Sequence, residues 1–381
     1  MTLSKEDRIR YNRQIILPGF GTEGQLKLKA SKVLIVGAGG LGSPNLQYLT
    51  GAGIGTVGII DFDEISLTNL QRQVLFDTVD VGESKAAVAA AKLEKLNPET
   101  AFQVYNEQLS AANAMDIIGG YDLVIDGSDN LPTRYLVNDA CVFLGKPLLY
   151  GAIFRYEGQL SVFNLLHEDG ARGPNYRDLF PSPPPPEMVT SCSEGGVFGA
   201  LAGIIGAMQA NEAIKILAGL GKTLSGKLLL FDSHDFSTRI LNLKVNTDNP
   251  VSGNNPSIFS LIDYEAFCAG PVTSKPEEGA LSATQLKGLM DAGTPPYLLD
   301  VREVHEFEIA HINGVNIPLS ELNERILEIP SDQSIVVHCR SGVRSKKAID
   351  LLKDKGFNHL KNLEGGLLAW QKAIDPSLEV Y

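Results

Sequence analysis

The chain has 381 residues, 44% of them hydrophobic and 20% charged, with a formal net charge of −12. That length favours two cores over one, and the composition is that of an ordinary globular protein. The acidic balance argues against nucleic acid as the main partner, because phosphate backbones need clustered Lys and Arg.

In chain order, the opening stretch MTLSKEDRIRYNRQ carries no apolar signal core. KVLIVGAGG (32–40) reads as a buried strand ending in glycines, and SPNLQYLTGAG as a helix with Pro44 in its first turn. TVGIIDFD (56–63) is the next strand, SKAAVAAAKLEKLN (84–97) a helix stopped by Pro98, and YDLVIDGSDN (121–130) another strand. This alternation predicts a mostly parallel sheet covered by helices. LLYGAIFRYEGQLSVFN and KLLLFDSHDFSTRILNLKV add antiparallel strands to it. Between them, HEDGARGPNYRDLFPSPPPPEMVTS (167–191) holds six of the 20 prolines without periodicity, as a lid, a binding loop or a disordered segment would. VFGALAGIIGAM (197–208) runs into Gln209, Asn211 and Glu212. It falls short of the ~20 apolar residues of a membrane span, so it predicts a buried helix and no membrane partner. NTDNPVSGNNPS (246–257) and AGPVTSKPEEGA (269–280) read as linker pieces. A smaller α/β unit follows: helix LSATQLKGLMDAG, strands PYLLDVRE and SIVVHC, and helix SKKAIDLLKDKG. The four cysteines, Cys141, Cys192, Cys268 and Cys339, form no C-x-x-C pair, which suits a reducing, cytoplasmic setting.

GAGGLG (37–42) is a G-x-G-x-x-G turn between strand and helix, with Gly37, Gly39 and Gly42 at the motif positions, Gly40 between them, and Asp61 at the end of the next strand. Glycines let the backbone approach a phosphate, the helix N-terminus favours its charge, and the acid can hold a ribose hydroxyl. A tight turn with no ligand is the plain alternative. An NAD site needs no dense set of cations at the phosphates. Here SLTNLQRQ supplies Asn69, Arg72 and Gln73, GESKA supplies Lys85, and Ser128, Asp129 and Asn130 end a parallel strand, where sheet sites form. Singly, each fits a surface ion pair. Together, cations for a triphosphate and an acid for magnesium follow the logic of nucleotidyl transfer.

RYNRQ, GAGGLGS, DFDEISLTNLQRQ, GESKA and DGSDN together resemble the adenylating domain of the MoeB/ThiF family, relatives of ubiquitin-activating enzymes, across roughly residues 5–245. The resemblance implies ATP and Mg2+, with Gly37, Gly39, Gly40, Gly42, Gln73 and Asn130 in the binding site. It implies Asp61 on the ribose, and Asn69, Arg72 and Lys85 on the phosphates. Asp129 would take magnesium, and Arg13 would enter the other subunit's site in a homodimer. The implied substrate is the Gly-Gly carboxylate of a small ubiquitin-like sulfur carrier. Four zinc cysteines of the family pattern are replaced here by Asn175 and Asp178 in NYRD and by Asn249 and Ser252 in NPVS. Without thiolates no zinc site is expected, and the proline-rich loop is expected to be mobile. PNYRDLFPSPPPPEM and SCSEGGV resemble the MoeZ branch, which fuses this domain to a second one. Cys192 precedes a glycine-led helix, where a thiol gains thiolate character. Its family position implies an acyl-accepting or sulfur-handling role, with an incidental thiol as the alternative. Cys141 and Cys268 read as bystanders.

HCRSGVR (338–344) puts Cys339 at a strand tip, before a loop whose N–H groups can ring an anionic sulfur. The C-x4-R spacing is one residue tighter than the phosphatase C-x5-R and suits sulfur. With DVRE (300–303), HINGVNIPL (311–319) and GGLLAW (365–370), residues 279–381 resemble a rhodanese domain. Cys339 would carry a persulfide, and Arg340 and Arg344 would tune the loop charge. Asp300 and Arg302 read as a structural ion pair, and His338, His305 and His311 as structural residues.

The expected fold class is therefore α/β. It combines a Rossmann-like adenylating domain with a mixed sheet (1–245), a linker (246–278) and a smaller α/β rhodanese domain (279–381). The expected enzyme is an adenylyltransferase and sulfurtransferase. It adenylates the carrier and delivers sulfur from Cys339, directly or with Cys192, to give a C-terminal thiocarboxylate. The upstream donor would be a cysteine desulfurase or thiosulfate, and the flexible linker would tether the donor at high effective concentration. Carriers of molybdopterin synthesis come first, and thiamine, cysteine or tRNA-thiolation carriers are alternatives. An NAD oxidoreductase with a regulatory rhodanese module would leave Arg72, Lys85 and Asp129 unexplained.

Overall fold

Residues 33–36, 57–60 and 123–126 are buried on both faces, as the central strands of a parallel sheet must be. The computed structural model describes residues 2–184, 195–269 and 279–380. The chain divides into two units, Met1–Pro271 and Val272–Tyr381.

In the first unit, β1 (Lys32–Val36), β2 (Thr56–Ile60), β3 (Ala101–Tyr105), β4 (Leu123–Asp126), β5 (Leu148–Phe154), β6 (Glu157–Phe163), β7 (Lys227–Asp232) and β8 (Ser237–Asn242) form one sheet. Among the described residues its order is β3-β2-β1-β4-β5-β6-β7-β8. The first five strands pair in parallel, and β5 to β8 pair antiparallel. This is the mixed sheet expected, with β3 an addition. The order turns back at β1 and β4, a topological switch point where ligand crevices form beyond the strand ends.

The apolar stretch near residue 200 is part of the helix Gly199–Ala218, and no described helix is long and apolar enough to cross a membrane. It packs closely on the helix Gly42–Ala52. A Cβ on Gly206 would stand 2.3 Å from Pro44 Cγ, so only glycine permits the contact. Buried Gln209 joins the two helices to the sheet. Its Nε2 donates to the carbonyls of Asp126 (2.9 Å) and Leu149 (3.3 Å), and its Oε1 accepts from Asn45 Nδ2 (2.9 Å).

The proline-rich stretch was expected to be mobile; its residues 167–184 are anchored, and 185–191 lie outside the described residues. Asn175, Tyr176 and Arg177 are buried. The four residues standing in for zinc cysteines converge and satisfy one another. Asn249 Nδ2 donates to Asp178 Oδ1 (2.7 Å) and Asn175 Oδ1 (3.1 Å), and Asn175 Nδ2 donates to Ser252 Oγ (2.8 Å). Hydrogen bonding thus supplies the cross-link between the loop and residues 249–252. Nearby, Arg177 and Asp139 form a fully buried fork (Nε–Oδ1 2.7 Å, Nη2–Oδ2 2.8 Å), and Tyr264 Oη donates to the same carboxylate (2.8 Å). The guanidinium also lies over the rings of Tyr135 and Phe267, 4.8 and 4.9 Å from their centroids. These contacts hold the helix Tyr264–Ala269 on the first unit. Much of the stretch read as linker, up to residue 269, is thus packed structure. Asp139→Asn removes the charge that balances buried Arg177. It should destabilise the first unit by about 3–5 kcal/mol, read as earlier amide exchange throughout β1 to β5.

The second unit has a fully parallel sheet ordered β11-β10-β12-β13-β9. Its strands are β9 (Ala280–Leu281), β10 (Tyr297–Asp300), β11 (Val315–Asn316), β12 (Ile335–His338) and β13 (Leu360–Leu363). Helices Ala283–Asp291, Val343–Asp354 and Gly366–Ala373 complete it, with Leu286, Leu352, Leu367 and Trp370 buried in its cores.

Candidate functional site

The first site is a cavity of about 260 Å³ beyond the ends of β1, β2 and β4. Gly37, Gly39 and Gly40 form one wall, and Asp61, Arg72, Gln73, Lys85, Ser128, Asp129 and Asn130 line the rest. Apart from Gly42, Asn69 and Arg13, the sequence-predicted binding residues are thus brought together from separate segments. Gly37 and Gly42 are sterically required. A Cβ on Gly42 would stand 2.0 Å from the Gly37 carbonyl oxygen, and Gly37 itself has φ +92°. A Cβ on Gly40 would be tight against Ala202 Cβ at 3.2 Å.

Asp61 is held at the end of β2 by two backbone donors, Ala38 N–H to Oδ2 (2.7 Å) and Asp63 N–H to Oδ1 (2.9 Å). Burial pushes its carboxyl up, opposed by the Lys85 charge and by these two bonds. Lys85, capped into its helix by Ser84, is buried and pairs with Asp63 (2.8 Å). Arg72 Nη1 donates to the Thr68 carbonyl (3.1 Å).

Two expected residues sit differently, and a third, Arg13, was expected to act in another subunit's site rather than in this chain's own. Asn69 Oδ1 accepts from Ser66 N–H (3.2 Å) and its side chain is outside the cavity lining. Asn130 lines the cavity, but its side-chain oxygen caps the helix Leu131–Phe143 through Thr133 N–H (2.9 Å). Arg13, on the helix Asn12–Ile15, is exposed and outside this chain's cavity. Cys192 lies outside the described residues.

Among the polar cavity residues that escaped the sequence reading are Asp63 and Arg134, and Asp126 lies beside the lining. Asp126 is buried at the end of β4 and accepts from Ser128 N–H (2.9 Å) and Ser128 Oγ (2.6 Å), which shapes the turn carrying Asp129. Burial pushes its carboxyl up, countered by Arg134 and then by Ser128. Arg134 Nη2 donates to the Ser128 carbonyl (3.2 Å). It sits one turn past the Asn130 cap, a spacing that returns it to the same helix face and that could have marked it.

The second site is the loop after β12. Cys339 is fully buried, and Gly342 N–H points at its sulfur (3.2 Å). Ser345 Oγ lies 3.5 Å from it. Arg344, expected to tune the loop charge, is held in a two-pronged pair by Glu306 (2.5 and 2.7 Å). Its charge is therefore largely met by that partner. Asp300 and Arg302 are the structural pair expected, fully buried at 2.6 Å, with Arg302 also donating to the carbonyls of Glu306 and Ala310.

His338 is the packed residue expected. Among the described residues neither ring nitrogen has a hydrogen-bond partner, and burial pulls the imidazole down to about 4, against the nearby Asp300 charge. A folded pKa below the unfolded value of ~6.5 means the unfolded chain binds the proton first. The neutral ring costs nothing above that pH, and stability is lost as pH falls from about 6.5 toward about 4, by about 3 kcal/mol in all. Trp370, the single tryptophan, lies in this unit, so denaturant unfolding followed by its fluorescence reads the effect directly. His338→Phe should flatten that part of the pH profile.

Each unit matches a known family. Residues 11–251 match the ThiF family and residues 282–373 the rhodanese-like domain. The whole chain is 43% identical to the probable adenylyltransferase/sulfurtransferase MoeZ of Mycobacterium tuberculosis, covering 96% of that protein. It is 44% identical to the adenylyltransferase and sulfurtransferase MOCS3 of Aedes aegypti, covering 90%. Among solved structures, E. coli MccB with ATP aligns at TM-score 0.55 and 25% identity, over 64% of this chain and 73% of that one.

Proposed function

The chain belongs to the ThiF family and carries a rhodanese-like domain, and from that premise we propose that it activates the C-terminal Gly-Gly carboxylate of a small ubiquitin-like sulfur carrier and converts it to a thiocarboxylate. The observation that carries this is the pairing, in one chain, of a glycine-walled cavity lined by Arg72, Lys85, Arg134 and Asp129 with a buried cysteine whose sulfur accepts from the Gly342 N–H.

In the first step the carboxylate oxygen attacks the α-phosphorus of ATP, pyrophosphate leaves, and an acyl-adenylate forms. The glycine loop approaches the phosphates, Arg72 and Lys85 offset the charge that builds there, and Asp61 holds the ribose. Asp129, exposed at the cavity, would hold Mg2+, which adds charge neutralisation at the phosphates when bound. In the second step a persulfide anion on Cys339 attacks the acyl carbon, AMP leaves, and an acyl disulfide forms. A second thiol, for which Cys192 is the candidate, cleaves it to the thiocarboxylate and leaves a disulfide for an external thiol to reduce.

The sulfur source on this reading is a persulfide donor such as a cysteine desulfurase, or thiosulfate. Free thiols at Cys141, Cys268 and Cys339 suit a reducing, cytoplasmic setting. Arg13 would enter the cavity of a second copy in a homodimer, a reading supported by its exposure and by the exposed Ile9, Ile16 and Leu17 near it in sequence. The reading that no structural zinc is held here is supported by the hydrogen bonds among Asn175, Asp178, Asn249 and Ser252. Molybdopterin synthesis is the proposed pathway, with thiamine, cysteine or tRNA-thiolation carriers as alternatives.

The test is carrier-dependent ATP–pyrophosphate exchange. The proposal expects exchange only when a carrier with an intact Gly-Gly terminus is present. Exchange that ignores the carrier, or none with any Gly-Gly carrier, would overturn it.

A further inference from the structure

One hydroxyl beside the sulfur is placed to serve it in two opposite ways. Ser345 is fully buried in the first turn of the helix Val343–Asp354. Its Oγ stands 2.7 Å from Asn362 Oδ1, 3.1 Å from the Gly342 carbonyl oxygen and 3.5 Å from Cys339 Sγ. The Asn362 amide is oriented by its other end, where Nδ2 donates to the Gly342 carbonyl (3.3 Å). The reversed amide would set two oxygens face to face, so the network assigns Oδ1 as the acceptor of the Ser345 hydrogen.

A hydroxyl has one hydrogen and two lone pairs. While Ser345 gives its hydrogen to Asn362, its lone pairs are free to accept from a neutral Cys339 thiol. An anionic sulfur has no hydrogen to give, and oxygen lone pairs would repel it. The hydroxyl then gains by turning its hydrogen to the sulfur, exchanging a neutral bond for a stronger charge-assisted one. The Gly342 N–H donates to the sulfur in both states and cannot distinguish them.

We infer that Ser345 is a two-position hydrogen-bond switch on Cys339, accepting from the thiol and donating to the thiolate. The inference rests on the reading of Cys339 as the sulfur-carrying residue. The thiolate is needed when Cys339 attacks the outer sulfur of a donor persulfide R–S–SH. The new Cys339 S–S bond forms, the donor S–S bond breaks, and R–S⁻ leaves. The donated hydrogen bond stabilises the thiolate for attack, and the protonated form keeps a hydrogen bond of its own.

The test uses the full-length chain and two readouts. The first is the infrared S–H stretching band of Cys339, obtained by subtracting the spectrum of Cys339→Ser. The second is the rate at which a low-molecular-weight persulfide loads Cys339, followed by mass spectrometry. The unaltered chain should show the lowered wavenumber of a donating thiol. Ser345→Ala should raise the band and slow loading about tenfold, and Ser345→Thr should restore both. A band at the free-thiol position in the unaltered chain overturns the switch without any Ser345 variant. So does an unchanged band and rate in Ser345→Ala. If the unaltered chain takes no sulfur on Cys339, the Cys339 reading fails instead, and the band still decides the role of Ser345.

Discussion

Cys339→Ser should lower thiocarboxylate formation by on the order of a thousandfold or more, while carrier-dependent pyrophosphate exchange persists. The expectation follows from the separation of the chemistry. Adenylation is complete when pyrophosphate leaves, and it uses only groups of the first unit. Sulfur delivery needs a thiolate that can hold a second sulfur, and among the described cysteines the alternatives are poorly suited. Burial pushes the Cys141 thiol out of the reactive range and the Cys268 thiol up to about 11. Cys339 instead has a backbone N–H and a serine hydroxyl beside its sulfur. Serine at 339 keeps the shape and can hold no persulfide. Thiocarboxylate formed at the normal rate by this variant, with the same donor, would remove Cys339 from the pathway.

Lys85→Ala should slow carrier-dependent exchange by about 10²–10³-fold. The ammonium is buried at the cavity and fixed by Asp63 at 2.8 Å, so on the proposed reading it would meet developing phosphate charge with little reorganisation. The loss should fall mainly on the turnover rate, because a group aimed at the departing pyrophosphate acts most strongly in the transition state. Asp63 is half exposed and stays solvated without its partner, so folding should survive the change. Normal exchange in a folded Lys85→Ala chain would reduce the residue to an ion-pair partner of Asp63.

These residues were legible because their signals are local. The Gly37–Gly42 turn, Asp61, Arg72, Lys85 and the Cys339 loop each sit inside a short string whose spacing has a physical reason. The strand and helix alternation also placed the strand ends that carry them. What stayed hidden is convergence. Asp139, Arg177 and Tyr264 meet across as many as 125 positions, so nothing near Tyr264 announced that its segment is packed structure. Asn, Gly and Pro around 246–257 have the composition of a linker, yet Asn249 and Ser252 close a buried knot with Asn175. β3 was missed because its AFQVY stretch is half exposed and lacks the continuous apolar run of its neighbours. Arg344 was read by its proximity to Cys339, whereas Glu306, 38 positions away, meets its charge.

The central claim is that one chain joins adenylation to sulfur transfer. The most direct measurement is the intact mass of a Gly-Gly sulfur carrier incubated with the full-length chain, ATP, Mg2+ and a persulfide donor. The account predicts replacement of one carrier oxygen by sulfur, dependent on ATP and on Cys339. A carrier that keeps its mass while ATP is consumed to AMP and pyrophosphate, or one that gains sulfur without ATP, would contradict it.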